Sequence, residues 1–401
     1  MLSKGDSYPM NQIAEIALFN VPLDDYLLQT KCSDTDETIS ESMVSSVYQS
    51  LKQSVHPALL LSAGYDSRLL LAAAKKCNRK LTGVTWATPN PTVETAIARK
   101  LCDEHGMRHV VIDTEALSID DLRSALVLFA QRTKGRLSVS RAPVFEALRR
   151  LGNEFDLLIW GEGEIFRPPL IPSEYITAHA LALLAPERFR MSSVLSGLFS
   201  PDLPYASCEK QAMQNFAYLH SLPFHERLAQ WLIRVAYPGI YTVTAKAISK
   251  DITVVLPFLD RNVIEATLRS GRSVACMKDW KQSVRNTLDS RRTYYDLISE
   301  LSPDLLHIRT DRGYPPAWDR DIRSIAMTSL YGMKNLLKPK QRRGLFRIKY
   351  QKALRDEIRD RLPSPIADQD LAMQLLRDKR PWSTTAEYNA GKLLAVLVNY
   401  E

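Results

Sequence analysis

The most constraining feature of the chain is an apolar run that changes abruptly into small and polar residues and then into a helix-forming stretch. The run ends at Leu61, residues 62–67 read S-A-G-Y-D-S, and Arg68–Lys76 favours a helix. This pattern predicts a buried parallel strand, a tight loop and a helix. Such a loop points backbone N–H groups, two hydroxyls and the positive end of a helix at one spot, which suits a phosphate group.

Three residues of this loop carry distinct expectations. Gly64 lets the backbone approach a ligand closely, and Asp66 offers a carboxylate for the magnesium that accompanies a nucleotide. The loop differs from the dinucleotide fingerprint G-x-G-x-x-G and from the P-loop G-x-x-x-x-G-K-S/T. The methyl group of Ala63 is tolerated if its φ is negative, and it costs about 1 kcal/mol or more if φ is positive.

Strand and helix patterns alternate after this loop. Strands are predicted at Leu81–Trp86, His109–Ile112 and Asp156–Trp160, with helical stretches between them. The alternation predicts an α/β fold with a doubly wound, mainly parallel sheet. From about Pro172 onward the periodicity is mainly helical, which predicts a large helical C-terminal portion. Because ligands of such sheets bind beyond the carboxyl ends of the strands, the acidic turn that begins at Gly161 is expected near the S-A-G-Y-D-S loop.

Composition narrows the class of protein. The chain has 401 residues, of which 45% are hydrophobic and 24% are charged, as in a soluble globular protein. No N-terminal segment resembles a signal peptide, and no run approaches the roughly 18 apolar residues of a membrane span. A cytoplasmic location is therefore expected. The five cysteines are scattered without a C-x-x-C pair, which argues against a zinc site.

The net charge of +8 is concentrated near the C-terminus. Residues 334–361 contain eleven Lys and Arg against three acids. One interpretation is a solvated basic pair of helices. The other is a cationic face that attracts an acidic partner such as a nucleotide, a polyanionic substrate, an anionic membrane surface or RNA.

Five features in the same order resemble the synthetase domain of asparagine synthetase, a branch of the ATP pyrophosphatases whose relatives include β-lactam synthetase and lasso-peptide cyclases. The first two are the S-A-G-Y-D-S loop, similar to S-G-G-x-D-S, and G-E-G-E-I-F at 161–166, a version of G-E/D-G-x-D-E-L/I-F shortened by two residues. The third is P-F-L-D at 257–260. The last two are K-Q-S-V-R at 281–285, similar to K-x-x-L/I-R, and R-T-D-R-G-Y-P-P at 309–316, similar to R-x-K-x-G-F-x-x-P. The resemblance implies an adenine nucleotide alpha hydrolase-like fold. It divides the chain into an unassigned segment 1–36, a synthetase domain 37–320 and a basic helical extension 321–401.

The resemblance also implies roles for individual residues. Lys281 would neutralise charge on the leaving pyrophosphate, and Glu162 would deprotonate or orient the attacking amine. Asp66 would bind magnesium; the shortened turn lacks the aspartate that relatives supply as a second ligand, so either Glu164 takes that place or the metal site is damaged. The residues expected to bind ATP and pyrophosphate are Ser62, Ala63, Gly64, Tyr65, Asp66, Ser67 and Gly161.

These roles imply an ATP-dependent, AMP-forming amide ligase that adenylates a carboxylate and transfers the acyl group to ammonia or an amine. A glutaminase domain is not expected, because position two is Leu2 and fewer than sixty residues precede the loop. The nitrogen would then come from free ammonia, from a separate glutaminase or other partner subunit, or from an amine on the substrate.

Two other functions are compatible with the same fold. A tRNA-modifying ATP pyrophosphatase would use the basic 334–361 region for docking, but the missing C-x-x-C cysteines and the Lys281 element argue against it, so nucleic acid is not the expected partner. A non-catalytic, nucleotide-binding relative is suggested by Ala63 and by the shortened acidic turn.

Overall fold

The computed structural model describes residues 37–87, 93–113, 116–135, 137–163, 165–166, 242–273, 284–320, 345–362, 369–377 and 384–400, with a few isolated positions between them. The strands are β1 (Pro57–Leu60), β2 (Thr82–Ala87), β3 (Arg108–Asp113), β4 (Leu157–Ile159) and β5 (Thr253–Val255). The helices are α1 (Ile39–Lys52), α2 (Tyr65–Lys76), α3 (Val93–Glu104), α4 (Ile119–Thr133), α5 (Ala142–Arg150), α6 (Thr242–Ile248), α7 (Arg261–Arg269), α8 (Val284–Leu301), α9 (Leu345–Arg359), α10 (Gln369–Arg377) and α11 (Thr384–Tyr400).

The five strands form one parallel sheet in the order β3-β2-β1-β4-β5. Helices pack on the sheet, and the predicted doubly wound fold is confirmed. The direction of winding reverses between β1 and β4, so the segments that leave these two strands diverge and open a crevice at their carboxyl ends. The S-A-G-Y-D-S loop leaves β1, and the acidic turn leaves β4.

The apolar run forms the centre of this sheet. Every residue of β1 is buried, and Leu59 pairs with Gly83 on one side and with Ile159 on the other. The pairing continues past the end of β1, where the Leu61 N–H donates to the Val84 carbonyl at 2.7 Å. A strand with neighbours on both edges and helices on both faces needs apolar residues at every position, as this run supplies.

Two element boundaries differ from the sequence-based expectation. Helix α2 begins at Tyr65, three residues before the expected start at Arg68, so Tyr65, Asp66 and Ser67 belong to its first turn. Strand β5 lies in the region expected to be helical. Its three residues are too few to show a period of two, and only the pairing with β4 identifies them as a strand.

The C-terminal helices pack against the layer formed by α4. Ser138, which lies between α4 and α5, donates its hydroxyl to the Tyr388 carbonyl of α11 at 2.9 Å, and Asn399 donates to the Ala130 carbonyl of α4 at 2.9 Å. Gly391 approaches so closely that a Cβ atom there would lie 2.5 Å from Ser138 Oγ. Buried residues of α9 and α11 join the main hydrophobic core. The division of the chain at residue 320 remains a prediction.

None of the described helices is long and apolar enough to cross a membrane.

A buried arginine joins the loop helix to a distant part of the chain. Arg68 in α2 is fully buried, and its guanidinium donates to the carbonyls of Leu305 and Ile308 at 2.7 Å and of Arg309 at 3.1 Å. Burial lowers the pKa of Arg68 to about 10. These three carbonyls belong to the short 3₁₀ helix Pro303–Leu306 after α8 and to the turn that follows it, and Arg68 supplies donors to them.

Replacing Arg68 with leucine should destabilise the protein by about 2–4 kcal/mol, because two buried carbonyls and one partly buried carbonyl lose their donors. The free energy of unfolding in urea measures the effect. Lys76→Leu is the matched control, since Lys76 is exposed on the same helix. Equal losses for the two variants would contradict the structural role of Arg68.

A second buried cation produces a pH dependence. Lys392 in α11 is buried and donates to the Gly135 carbonyl, just after α4, at 2.8 Å. Burial lowers its pKa to about 7 from 10.5. Between these two values the unfolded chain binds more protons than the folded chain, so stability rises with pH in this window.

The unfolding free energy of the wild type should rise relative to that of Lys392→Met by up to about 1.4 kcal/mol per pH unit between about pH 7 and about pH 9. Urea unfolding of both proteins across this range measures the difference. A constant difference between them would contradict the assignment.

Candidate functional site

The S-A-G-Y-D-S loop is held in shape by its two serines. The Ser62 N–H donates to Ser67 Oγ at 3.0 Å, and the two hydroxyl oxygens lie 3.0 Å apart. The Ser67 hydroxyl is also 3.2 Å from the Ser62 carbonyl, and the Gly64 N–H donates to Ser62 Oγ at 3.1 Å. The hydroxyls therefore fold the loop back onto the first turn of α2.

Exposure alternates along this loop. Ser62, Gly64 and Asp66 are partly exposed, whereas Ala63, Tyr65 and Ser67 are buried. Gly64 is the N-cap of α2 and has extended backbone, and no side chain caps the helix. The partly exposed positions thus surround a helix N-terminus, where an anion is favoured. The φ of Ala63 is not positive, so its methyl group introduces no backbone strain.

The acidic turn after β4 lies directly beside this loop. A Cβ atom on Gly161 would lie 3.2 Å from the Cβ atom of Asp66, so the two segments are in close contact there. Gly163 has φ +130° and faces Leu259, which is 2.8 Å from the position of a Cβ atom. The predicted proximity of the two segments is therefore observed, and glycine is required at position 163.

Asp66 has a partner that the sequence did not indicate. The hydroxyl of Tyr294, from the middle of α8, donates to Asp66 Oδ1. The Tyr294 ring also contacts Tyr65, with ring centroids 5.6 Å apart, and packs edge-on to Phe166 of the acidic turn at 5.1 Å. Tyr294 therefore contacts both segments of the candidate site. Its position on a long amphipathic helix gave no local signal of this role.

Glu162 forms an ion pair with Arg141. The Arg141 Nη1 atom lies 2.9 Å from Glu162 Oε1, and the carboxylate side chain is 14% exposed. Arg141 ends the short 3₁₀ helix Val139–Arg141 before α5. The pair fixes the orientation of the Glu162 carboxylate next to Gly161.

A polar network lies behind the loop. The Tyr65 hydroxyl donates to Asp319 Oδ2 at 2.5 Å, and burial together with Asp319 raises the pKa of Tyr65. The Arg312 guanidinium lies 5.7 Å from the centre of the Tyr65 ring. The tyrosine thus stays protonated and connects the loop to the 310–319 segment.

This segment departs from the motif it resembles. In R-x-K-x-G-F the third position is lysine, whereas here it is Asp311, followed by Arg312. The lysine position of the motif therefore carries a negative charge in this chain.

Several predicted residues lie outside the described part of the chain or have another role. Lys281 and Glu164 are outside the described residues, as is the side chain of Arg285. Asp260 of the P-F-L-D element is the N-cap of α7, and its carboxylate accepts from the Asn262 N–H at 2.9 Å. Asp260 therefore has a structural role in the described structure.

The donor set at Asp66 fits magnesium in the manner of a nucleotide site. Among the described residues, no group of three His, Cys, Asp or Glu side chains could hold a metal ion. Magnesium is commonly held by one or two carboxylates, with phosphate oxygens and water completing its octahedron. Asp66, at the helix N-terminus, is suited to be such a carboxylate.

The comparison with protein families agrees with this geometry. A model of the asparagine synthase family matches residues 38–271, which is more than half of the chain and includes the S-A-G-Y-D-S loop, the acidic turn and the P-F-L-D element. The chain belongs to the asparagine synthase family. A search of curated proteins returned no significant match.

Membership of the asparagine synthase family supports ATP-dependent ligase chemistry that forms a carbon–nitrogen bond. The match ends at residue 271, so Tyr294, Asp319 and the turn bound by Arg68 lie beyond it. This asparagine synthase family protein therefore completes its loop environment with residues outside the matched region.

Removing the Ser67 hydroxyl should loosen the loop. Ser67→Ala leaves the partly buried Ser62 N–H without its acceptor and should cost about 1–2 kcal/mol of stability. Thermal unfolding measures this loss. Ser249→Ala is the control, because among the described contacts the Ser249 hydroxyl donates only to the Ala245 carbonyl of the preceding helix α6. A smaller loss for Ser67→Ala than for Ser249→Ala would contradict the role of the serine pair.

Proposed function

We propose that the protein is an AMP-forming amide ligase that adenylates a substrate carboxylate and transfers the acyl group to ammonia or an amine. The observation that carries the proposal is the meeting of the S-A-G-Y-D-S loop and the acidic turn at the point where the sheet reverses its winding, with Gly161 against Asp66. This arrangement puts a phosphate-binding helix N-terminus beside a carboxylate suited to handle a proton.

In the first step a carboxylate oxygen attacks the α-phosphorus of ATP, and the bond to the pyrophosphate oxygen breaks. The loop from Ser62 to Ser67 holds the phosphates through backbone N–H groups and hydroxyls, with magnesium on Asp66. Lys281 neutralises charge on the leaving pyrophosphate. The products are an acyl-adenylate and pyrophosphate.

In the second step the amine nitrogen attacks the acyl carbon, and the carbon–oxygen bond to AMP breaks. The nitrogen must lose a proton, and Glu162 accepts it. The ion pair with Arg141 supports this role, because it occupies Oε1 and fixes the carboxylate. Oε2 makes no hydrogen bond with a described residue and is available to the substrate. Contacts beyond these residues select the carboxylate substrate. They also select the nitrogen donor, which is free ammonia, a partner subunit or an amine.

The two competing functions are each weakened by particular observations. A tRNA-modifying enzyme would use the basic 334–361 region, but the arginines described there contact neighbouring groups of the protein: Arg347 pairs with Glu387, Arg355 lies over Trp382, Arg359 pairs with Asp356, and Arg361 pairs with Glu357. A non-catalytic relative was suggested in part by Ala63. The φ of Ala63 is not positive, so its methyl group introduces no backbone strain and this reason is weakened. The shortened acidic turn and the charge at Asp311 are the observations that still favour a non-catalytic relative.

The first test is nucleotide binding. A magnesium complex of α,β-methylene-ATP at about 100 times its dissociation constant should stabilise the wild type by roughly 2.7 kcal/mol. Asp66→Asn should remove most of this effect, since the metal loses its carboxylate. Asp103→Asn is the matched control, because Asp103 is exposed near the end of α3, at the opposite edge of the sheet.

The second test separates ligase from binding protein. Wild-type protein with ATP, magnesium, a carboxylate library and hydroxylamine should release AMP and pyrophosphate and form a hydroxamate. Glu162→Gln should retain nucleotide-induced stabilisation and lose acyl transfer to ammonia. Nucleotide binding without AMP release for any carboxylate would favour the non-catalytic relative, and release of ADP in place of AMP would overturn the proposed chemistry.

A further inference from the structure

A cavity of about 930 Å³ lies at the amino ends of the strands, on the opposite edge of the sheet from the candidate site. Its walls include Pro57, Thr82 and Arg108, the first residues of β1, β2 and β3. Its apolar surface includes Val55, a residue that is 75% exposed, and the edge of Phe155, which is largely buried. A large apolar side chain left in contact with water beside a cavity is a common feature of ligand sites.

The polar part of the wall is cationic. Lys75, Arg79, Lys80 and Arg108 line the cavity, against the carboxylate of Glu154. Some of this charge is compensated, since Lys75 pairs with Asp304 at 2.5 Å and Arg108 pairs with Glu154. The Arg79 Nη2 atom donates to the Ser54 carbonyl at 2.8 Å, which leaves the other guanidinium donors of Arg79 for a ligand. Lys80 makes no hydrogen bond or ion pair with a residue that the structure describes. Cations in the last turn of a helix interact favourably with the helix dipole. Arg79 and Lys80 follow the end of α2, so this interaction does not explain why two positive charges lie there.

His105 also lines the cavity. Its side chain is 10% exposed, and Lys75 Nζ lies 3.3 Å from its Nδ1 atom. Its Nε2 atom is covered by protein atoms and has no hydrogen-bond partner among the described residues, so it is not a contact for a ligand in the cavity.

We propose that this cavity binds a small amphipathic anion, with a phosphate or carboxylate group on Arg79 and Lys80 and an apolar portion on Val55 and Phe155. The basic rim and the exposed apolar wall are independent observations, and an oxyanion with an apolar body satisfies both.

The proposal does not depend on the ligase chemistry, because the cavity and the reaction site lie at opposite edges of the sheet. Helix α2 spans the distance between them, with Asp66 in its first turn and Lys75 in its last. A ligand in the cavity therefore occupies a site separate from that of the nucleotide.

The test is isothermal titration of the full chain with octyl phosphate below its critical micelle concentration. Octyl phosphate should bind more tightly than octanol, which lacks the charge, and more tightly than inorganic phosphate, which lacks the apolar chain. The double variant Arg79→Gln, Lys80→Gln should weaken binding by about tenfold or more, since it removes charge-assisted contacts.

Two variants serve as controls. Lys246→Gln, at an exposed position on α6, and Asp66→Asn, in the candidate reaction site, should leave the affinity for octyl phosphate unchanged. Several results would overturn the proposal: no saturable binding of octyl phosphate, equal binding of octanol or of inorganic phosphate, unchanged affinity in the double variant, or a changed affinity in Asp66→Asn, which would place the anion at the nucleotide loop.

Discussion

The guanidinium of Arg68 is a buried charge, and the arrangement of the site depends on how its hydrogen bonds are satisfied. Its acceptors are the carbonyls of a turn after α8, more than two hundred residues along the chain. Because a buried cation without acceptors is very costly, the turn and the loop helix must come together as the protein folds. The same contact brings the 310–319 segment behind the loop, where Asp319 receives the Tyr65 hydroxyl. The loop is therefore shaped from behind by the segment that carries the R-T-D-R-G-Y-P-P motif.

The central fold was predictable because its signals are local. The apolar run of β1, the S-A-G-Y-D-S loop and the turn after β4 each fall within a few residues, and the rule for parallel sheets then places the last two side by side. Strand β5 was missed because Thr253–Val255 is too short to show a period. The start of α2 was misplaced because Tyr65, Asp66 and Ser67 read as loop residues although their backbone is helical.

Contacts across long sequence separations were not predictable. Tyr294 reaches Asp66 from a helix whose pattern indicates only amphipathic packing, and Arg141 reaches Glu162 from a turn without a motif. The sequence showed the presence of these side chains but not their partners, since each pairing depends on how helices pack on the sheet. The roles of Lys281 and Glu164 rest on the resemblance, because both residues are outside the described part of the chain. The site is thus predictable in its phosphate loop and less so in the groups around it.

The close approach of α11 to the turn before α5 has a consequence for recombination among relatives. The missing side chain of Gly391 makes room for Ser138, and the carbonyl of Tyr388 receives the Ser138 hydroxyl, only three residues from Arg141. A chimera that exchanged the C-terminal helix for one with a larger residue at this position would displace the turn that carries the Glu162 partner. Helix α11 and the turn before α5 must therefore be inherited together, although the family match ends more than a hundred residues before α11 begins.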